Sequence, residues 1–204
     1  MDNYADLMFH RAVAELQRDD GSYEKYQAGY NHRTQEQLSP DDIGFIQSRE
    51  SMYLGTVNPD GWPYVQHRGG PRGFLKVIGP SQIACADYRG NRQFISMGNI
   101  ATNTKVSLFL MDYLNQARLK IEGRASLVSV SDADPDVLPK LDLKTIPAER
   151  ILVVDVVAMD WNCPKYIPRM FTEDMVRQVV GGQIDQLMAE NEALKAELAA
   201  LKAE

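Results

Sequence analysis

The chain has 204 residues, 44% apolar and 25% charged, with a net charge of −6. That composition suits a globular domain with appendages, and no apolar run approaches the ~18 residues that cross a bilayer. Cys85 and Cys163 are too few for a disulfide framework or a four-cysteine metal site, and Met1-Asp2-Asn3-Tyr4 lacks the basic-then-apolar order of a signal peptide, so a reducing, cytoplasmic setting is expected.

Residues 5–18 are predicted to be helical. Met8, Ala12 and Leu16 recur every fourth residue beside Phe9 and Val13, and Asp19-Asp20-Gly21 stops the run. Residues 21–38 have no clear period, although Tyr23, Tyr26 and Tyr30 suit one helix face. Ser39 is a good N-cap, Pro40 fits the first helical position, and Asp41 and Asp42 favour the positive helix end. Strands follow at 51–57 and 62–66, joined by Asn58-Pro59-Asp60-Gly61. A second hairpin joins 74–78 to 82–86 across Gly79-Pro80-Ser81.

Residues 93–103 read as a short helix and 105–112 as a strand buried on both faces. In 117–130, Leu119, Ile121, Ala125 and Leu127 alternate with Arg118, Lys120, Glu122 and Arg124. Residues 132–146 are polar, and 151–159 form a nearly continuous apolar strand. About six strands in hairpins with few helices predict an α+β, mainly β fold built on an antiparallel barrel or sandwich. No Rossmann glycine fingerprint, P-loop or zinc spacing is present. His10 and His32 are too isolated to suggest a metal site.

The C-terminus carries the most regular pattern. Thr172 caps a helix that Gly181-Gly182 is expected to interrupt. Ile184, Leu187, Asn191, Leu194, Leu198 and Leu201 then follow at alternating spacings of three and four, the a/d seam of a coiled coil. Asn191 at an a position favours two parallel strands. Glu190 with Lys195, and Glu197 with Lys202, are g-to-e pairs that attract across such a dimer. An amphipathic helix packed on its own barrel, or an antiparallel pairing, remains an alternative.

Charge is uneven. Residues 61–124 hold nine Lys and Arg against three acids, a +6 window in a chain whose remainder is −12. This points to a local anionic ligand rather than a nucleic-acid surface. Two segments in the window carry the candidate site. Val65 to Ile78 sets His67, Arg68, Arg72 and Lys76 around Gly69, Gly70 and Gly73, where backbone can approach a planar ligand. Asp87 to Asn99 places Arg89 and Arg92 in a glycine-containing loop that opens a helix, a good phosphate site. Each segment also reads as a tight turn with surface charge.

On these residues the sequence resembles the pyridoxamine 5′-phosphate oxidase-like FMN-binding split-barrel proteins. The carrying stretches are Phe45 to Gly79, with Trp62-Pro63-Tyr64-Val65-Gln66-His67-Arg68-Gly69-Gly70; Asp87 to Asn99; Ser107 to Tyr113; Leu119 to Ala125; and Asp160 to Lys165. The resemblance implies a six-stranded antiparallel split β-barrel, here residues 51–170, between an N-terminal helical segment (1–50) and a C-terminal coiled-coil helix (171–204). It implies a homodimer with FMN at the subunit interface. Arg68, Lys76, Val77, Asn91, Arg92, Ser96 and Asn99 are the implied FMN contacts. Arg118 and the 161–166 segment would come from the partner subunit.

The implied activity is that of an FMN-dependent oxidoreductase with a reduced nicotinamide donor, NADH or NADPH. Lys76 is a candidate for tuning the flavin ring and equally a phosphate partner or surface charge. The C-terminal arginine and histidine pattern of true pyridoxamine phosphate oxidases is missing, which argues against that substrate. The rival readings are a non-enzymatic flavin, haem or deazaflavin binder, with His67 the one histidine in the region as an axial ligand, and a scaffold held by its zipper. Cys163 reads as a buried structural cysteine, or as a thiol activated by Lys165 or Arg169. Trp161 reads as packing rather than flavin stacking.

Overall fold

The computed structural model describes residues 1–30, 37–141, 143 and 147–202. His32 and parts of the 21–38 and 132–146 segments lie outside the described residues. Two compact units emerge: Met1–Asp112 with Ala117–Lys165, and Tyr113–Gln116 with Tyr166–Glu204.

In the first unit, α1 (Tyr4–Met8), α2 (Arg11–Asp20), α3 (Tyr23–Tyr30) and α4 (Pro40–Gln47) precede the strands. The single helix expected over 5–18 is broken at Phe9 and His10. Phe9 leaves helical geometry there and sets its ring edge-on to Tyr26 and Tyr30, at 5.8 and 5.3 Å. The tyrosines thus decide where the helix stops.

β1 (Ser51–Val57), β2 (Pro63–Gly69), β3 (Lys76–Gly79), β4 (Gln82–Tyr88), β5 (Lys105–Asp112), β6 (Ala117–Ser129) and β7 (Ala148–Trp161) form one antiparallel sheet, with α5 (Ile95–Thr102) after β4. Its order is β2-β1-β5-β6-β7-β4-β3. The sheet is open and has seven strands, which corrects the expected six. β3, which falls on the strand read at 74–78, is a four-residue edge strand held by β4 across the Pro80-Ser81 turn.

Alternation builds the core. Met52 and Leu54 from β1, Val106, Leu108 and Leu110 from β5, Leu119 and Ile121 from β6, and Leu152, Val154 and Val156 from β7 are all buried in one cluster. β4 and β7 are buried on their second face as well, where Ala84 and Ile151 pack with Leu141. Val137, Leu138, Leu141 and Leu143 therefore cover this face of the sheet, with short 3₁₀ turns at Val130–Asp132 and Leu138–Lys140. At Gly123 the β6–β7 register shifts, and a Cβ there would lie 2.6 Å from Val154 Cγ1 and 2.8 Å from the Asp155 carbonyl oxygen.

α4 locks onto the sheet through its cap. Ser39 Oγ accepts from Asp42 N at 3.2 Å, and Asp42 Oδ2 accepts from Ser39 N at 2.9 Å. The other Asp42 oxygen accepts from Trp161 Nε1 at 2.9 Å, and Trp161 packs edge-on to Phe45 at 4.6 Å. Trp161 is thus a packing residue. Asp42→Ala keeps the Ser39 cap on the backbone N–H of residue 42 but removes the carboxylate that accepts from Ser39 and from Trp161, so a loss of about 2 kcal/mol is expected in urea unfolding. A Trp161→Phe variant, which keeps the cap, should lose about half as much.

In the second unit, α6 (Glu173–Leu201) is one 29-residue helix whose N-cap Thr172 accepts from Met175 N. The break expected at Gly181-Gly182 does not occur. Glycine in a helix costs about 1 kcal/mol but is sterically compatible with helical backbone. No helix among the described residues is long and apolar enough to cross a membrane.

Candidate functional site

The candidate site is a cavity of about 240 Å³ lined by β2, β4, the 89–94 loop, the start of α5 and the start of β7. β2 and β4 stand far apart in the sheet order, yet Arg68 on β2 donates through Nη1 to Asp87 Oδ1 on β4. The sheet therefore curves until its two ends face each other. Asp87 Oδ2 accepts from Arg150 Nε at 3.1 Å, so one buried carboxylate holds two guanidinium groups. Arg68 is itself largely buried, and its Nε has no hydrogen-bond partner among the described residues.

The loop after β4 is shaped for an anion. Arg92 and Phe94 both adopt left-handed backbone, with φ of 63° and 56°, a conformation that costs a non-glycine residue roughly 1 kcal/mol or more. Asn91 Oδ1 accepts from Gln93 N at 3.1 Å and fixes the turn. Phe94, the N-cap of α5, supplies no side-chain cap. The first N–H groups of the helix, at Ile95, Ser96 and Met97, thus remain available beside the cavity that these residues line. Arg89 and Arg92 are exposed there, and the Phe94 ring lies 5.9 Å from both the Arg92 and the Arg150 guanidinium carbons.

Of the expected contacts, Arg68, Asn91, Arg92 and Ser96 line this cavity. Ser96 donates to Gln66 Oε1 at 2.8 Å, tying α5 to β2. The others lie elsewhere. Asn99 is buried and donates to Thr56 Oγ1 on β1 at 2.9 Å, which anchors α5 to the sheet. Lys76 and Val77 are on the edge strand β3, where Val77 N donates to Gln47 Oε1 at 3.3 Å. Arg118 lies at the start of β6, with its Nε buried and without a partner among the described residues and its carbonyl accepting from Asn162 N at 3.2 Å. The expected list omits Asp87, Arg150 and Phe94. The register of β4 with β7, which pairs Asp87 with Arg150, is a long-range fact. The only local sign of Arg150 is a charge at the head of an apolar strand.

Two further groups bear on the chemistry. His67 lines the cavity, its ring edge-on to Tyr53 at 5.5 Å. Cys85 is buried beneath the site, and burial pushes its thiol from 9.0 up to about 12 against the pull of Arg68. It is an inert thiol at neutral pH, whereas Cys163 is exposed, which corrects its expected burial. The sign for stability follows. Below pH 9 the thiol is protonated whether folded or unfolded. Between 9 and about 12 only the unfolded chain ionises, so stability falls as pH rises, by on the order of 4 kcal/mol across that window. Cys85→Ala should be less stable at pH 7 and show a shallower alkaline slope in pH-dependent denaturation.

The donor set fits a phosphorylated, partly apolar ligand such as FMN. Guanidinium groups and helix N–H groups suit a dianion, and glycine backbone with an aromatic ring suits a flat ring system. At about 240 Å³ the cavity is smaller than the ~300 Å³ and more of ordinary cofactor sites.

The family model for pyridoxamine 5′-phosphate oxidase matches residues 43–160, and the chain belongs to this family. Among curated proteins none matches the sequence significantly. Solved structures similar to it include a Lactobacillus delbrueckii protein assigned as a pyridoxamine 5′-phosphate oxidase, at 19% identity over 63% of this chain and 97% of that one, with a TM-score of 0.48. The heme storage protein HutZ of Vibrio cholerae shares 16% identity over 61% and 94%, with a TM-score of 0.42. An F420 reductase shares 21% identity over 60% and 98%, also with a TM-score of 0.42.

Proposed function

We propose that the chain binds FMN in a split barrel and acts as an FMN-dependent oxidoreductase on a small molecule. The observation that carries this reading is the cavity between the sheet's two ends, where arginines and an uncapped helix N-terminus converge. Arg89, Arg92 and the first turn of α5 hold the phosphate. Arg68 and Gly69 border the ring, and Asp87 fixes the Arg68 guanidinium. When bound, the flavin supplies hydride or electron transfer, with NADH or NADPH as the donor. The small volume of the cavity in one chain supports a homodimer in which a second subunit completes the site at the interface, through Arg118 and the 161–166 segment.

A second reading rests on His67. His67 borders the same cavity, and an imidazole is the nitrogen ligand that would bind haem iron, with the arginines on its propionates. An absorption spectrum of the purified protein, with mass spectrometry of the released ligand, separates the two. Flavin bands with FMN near one per chain support the first, and bleaching by NADH or NADPH supports catalysis. A Soret band lost in His67→Ala supports the second. A protein that takes up neither ligand defeats both.

A further inference from the structure

α6 carries an apolar stripe that one chain leaves in solvent. None of its residues is buried, and Leu187 and Leu194 are 63% and 62% exposed. The helix is about 43 Å long at ~1.5 Å per residue, and an unpartnered helix is marginal in water. Along the stripe, shallow grooves of about 300 and 440 Å³ open beside Leu187 and Leu194, flanking Asn191. This segment lies outside the residues that match the family.

We propose that this face docks against α6 of a second copy of the chain, in register, as a parallel two-stranded coiled coil. Three features select that occupant. Leucine fills every d position (187, 194 and 201), and the a positions are Ile184, Asn191 and Leu198, a pattern suited to two strands. In a parallel pair Asn191 meets its own copy and the two amides bond each other. In an antiparallel pair it would face leucine with its amide unsatisfied. The flanks agree. A parallel pair sets Glu190 against Lys195 and Glu197 against Lys202, whereas an antiparallel one sets like charges together. Within one chain Glu190 instead accepts from Gln186 at 3.1 Å and Lys195 donates to Glu192 at 2.7 Å. Both contacts are exposed and exchange at little cost. The proposal does not depend on the identity of the cofactor.

The test is disulfide cross-linking of the full-length protein in a Cys163→Ser background. Leu194→Cys should oxidise to a covalent dimer at least tenfold faster than Ala196→Cys, which lies on the opposite face of the helix. A mixture of Ile184→Cys and Leu201→Cys chains should give no mixed dimer. Equal rates at 194 and 196 would overturn the proposal, as would a mixed dimer, which marks antiparallel pairing. Asn191→Val supplies a second readout, because loss of the buried amide should broaden the assembly from two chains toward three or more in light scattering. An unchanged mass with unchanged cross-linking would show that Asn191 does not sit in the seam.

Discussion

Gly123→Ala is expected to destabilise the protein by roughly 3 kcal/mol, a fall in Tm of about 6–12 °C for a chain of this size. The added methyl would stand 2.6 Å from Val154 Cγ1 and 2.8 Å from the Asp155 carbonyl oxygen. Valine has few rotamers to retreat into, and the carbonyl belongs to the central β6–β7 ladder, so neither neighbour yields cheaply. The entropy that alanine removes from the unfolded chain, at most about 1 kcal/mol, does not offset that clash. Gly44→Ala is the matching control. It lies inside α4 with open space around its Cβ, and should stabilise by up to about 1 kcal/mol. Equal effects at the two positions would mean that β6 and β7 are not pressed together at Gly123.

On the proposed FMN reading, replacing Arg89 and Arg92 together by alanine should weaken FMN binding at least about 100-fold and riboflavin binding less than threefold. Each guanidinium lost from a phosphate forfeits about 1.5–3 kcal/mol, and ~1.4 kcal/mol is tenfold in affinity. Both side chains are exposed, so the fold itself should survive. Fluorescence titration with the two flavins isolates the phosphate, because the ring is common to both. A parallel fall in both affinities would move these arginines to the ring, and unchanged FMN affinity would place the phosphate elsewhere.

Much of this architecture is written locally. The turn at Asn58–Gly61, the Ser39 cap and the alternation of Leu119, Ile121 and Ala125 each depend on neighbours a few residues away, and each predicts its element. The Arg89–Ser96 segment is legible for the same reason, since a loop and the helix it opens are contiguous. What escapes is what the sheet assembles from a distance. Asp87 reads as a minor acid in a basic window until β4 pairs with β7 and β2 swings round to meet it. Then it holds Arg68 and Arg150 together. Asn99, expected at the ligand, turns inward to Thr56, because a helix of eight residues shows only its first turn to the cavity. The break at Phe9 is hidden likewise, since the rings that cause it come from α3.

The Arg68–Asp87 bridge has a mechanical consequence. No backbone ladder joins β2 to β4, so side chains alone fasten the curled sheet along that line, and this seam is where the sheet can part most cheaply. An anion drawn to Arg68 or Arg150 competes with Asp87 for the same guanidinium groups. Ligand and clasp thus share a joint, and amide exchange in β2 should report on how tightly the cavity is filled.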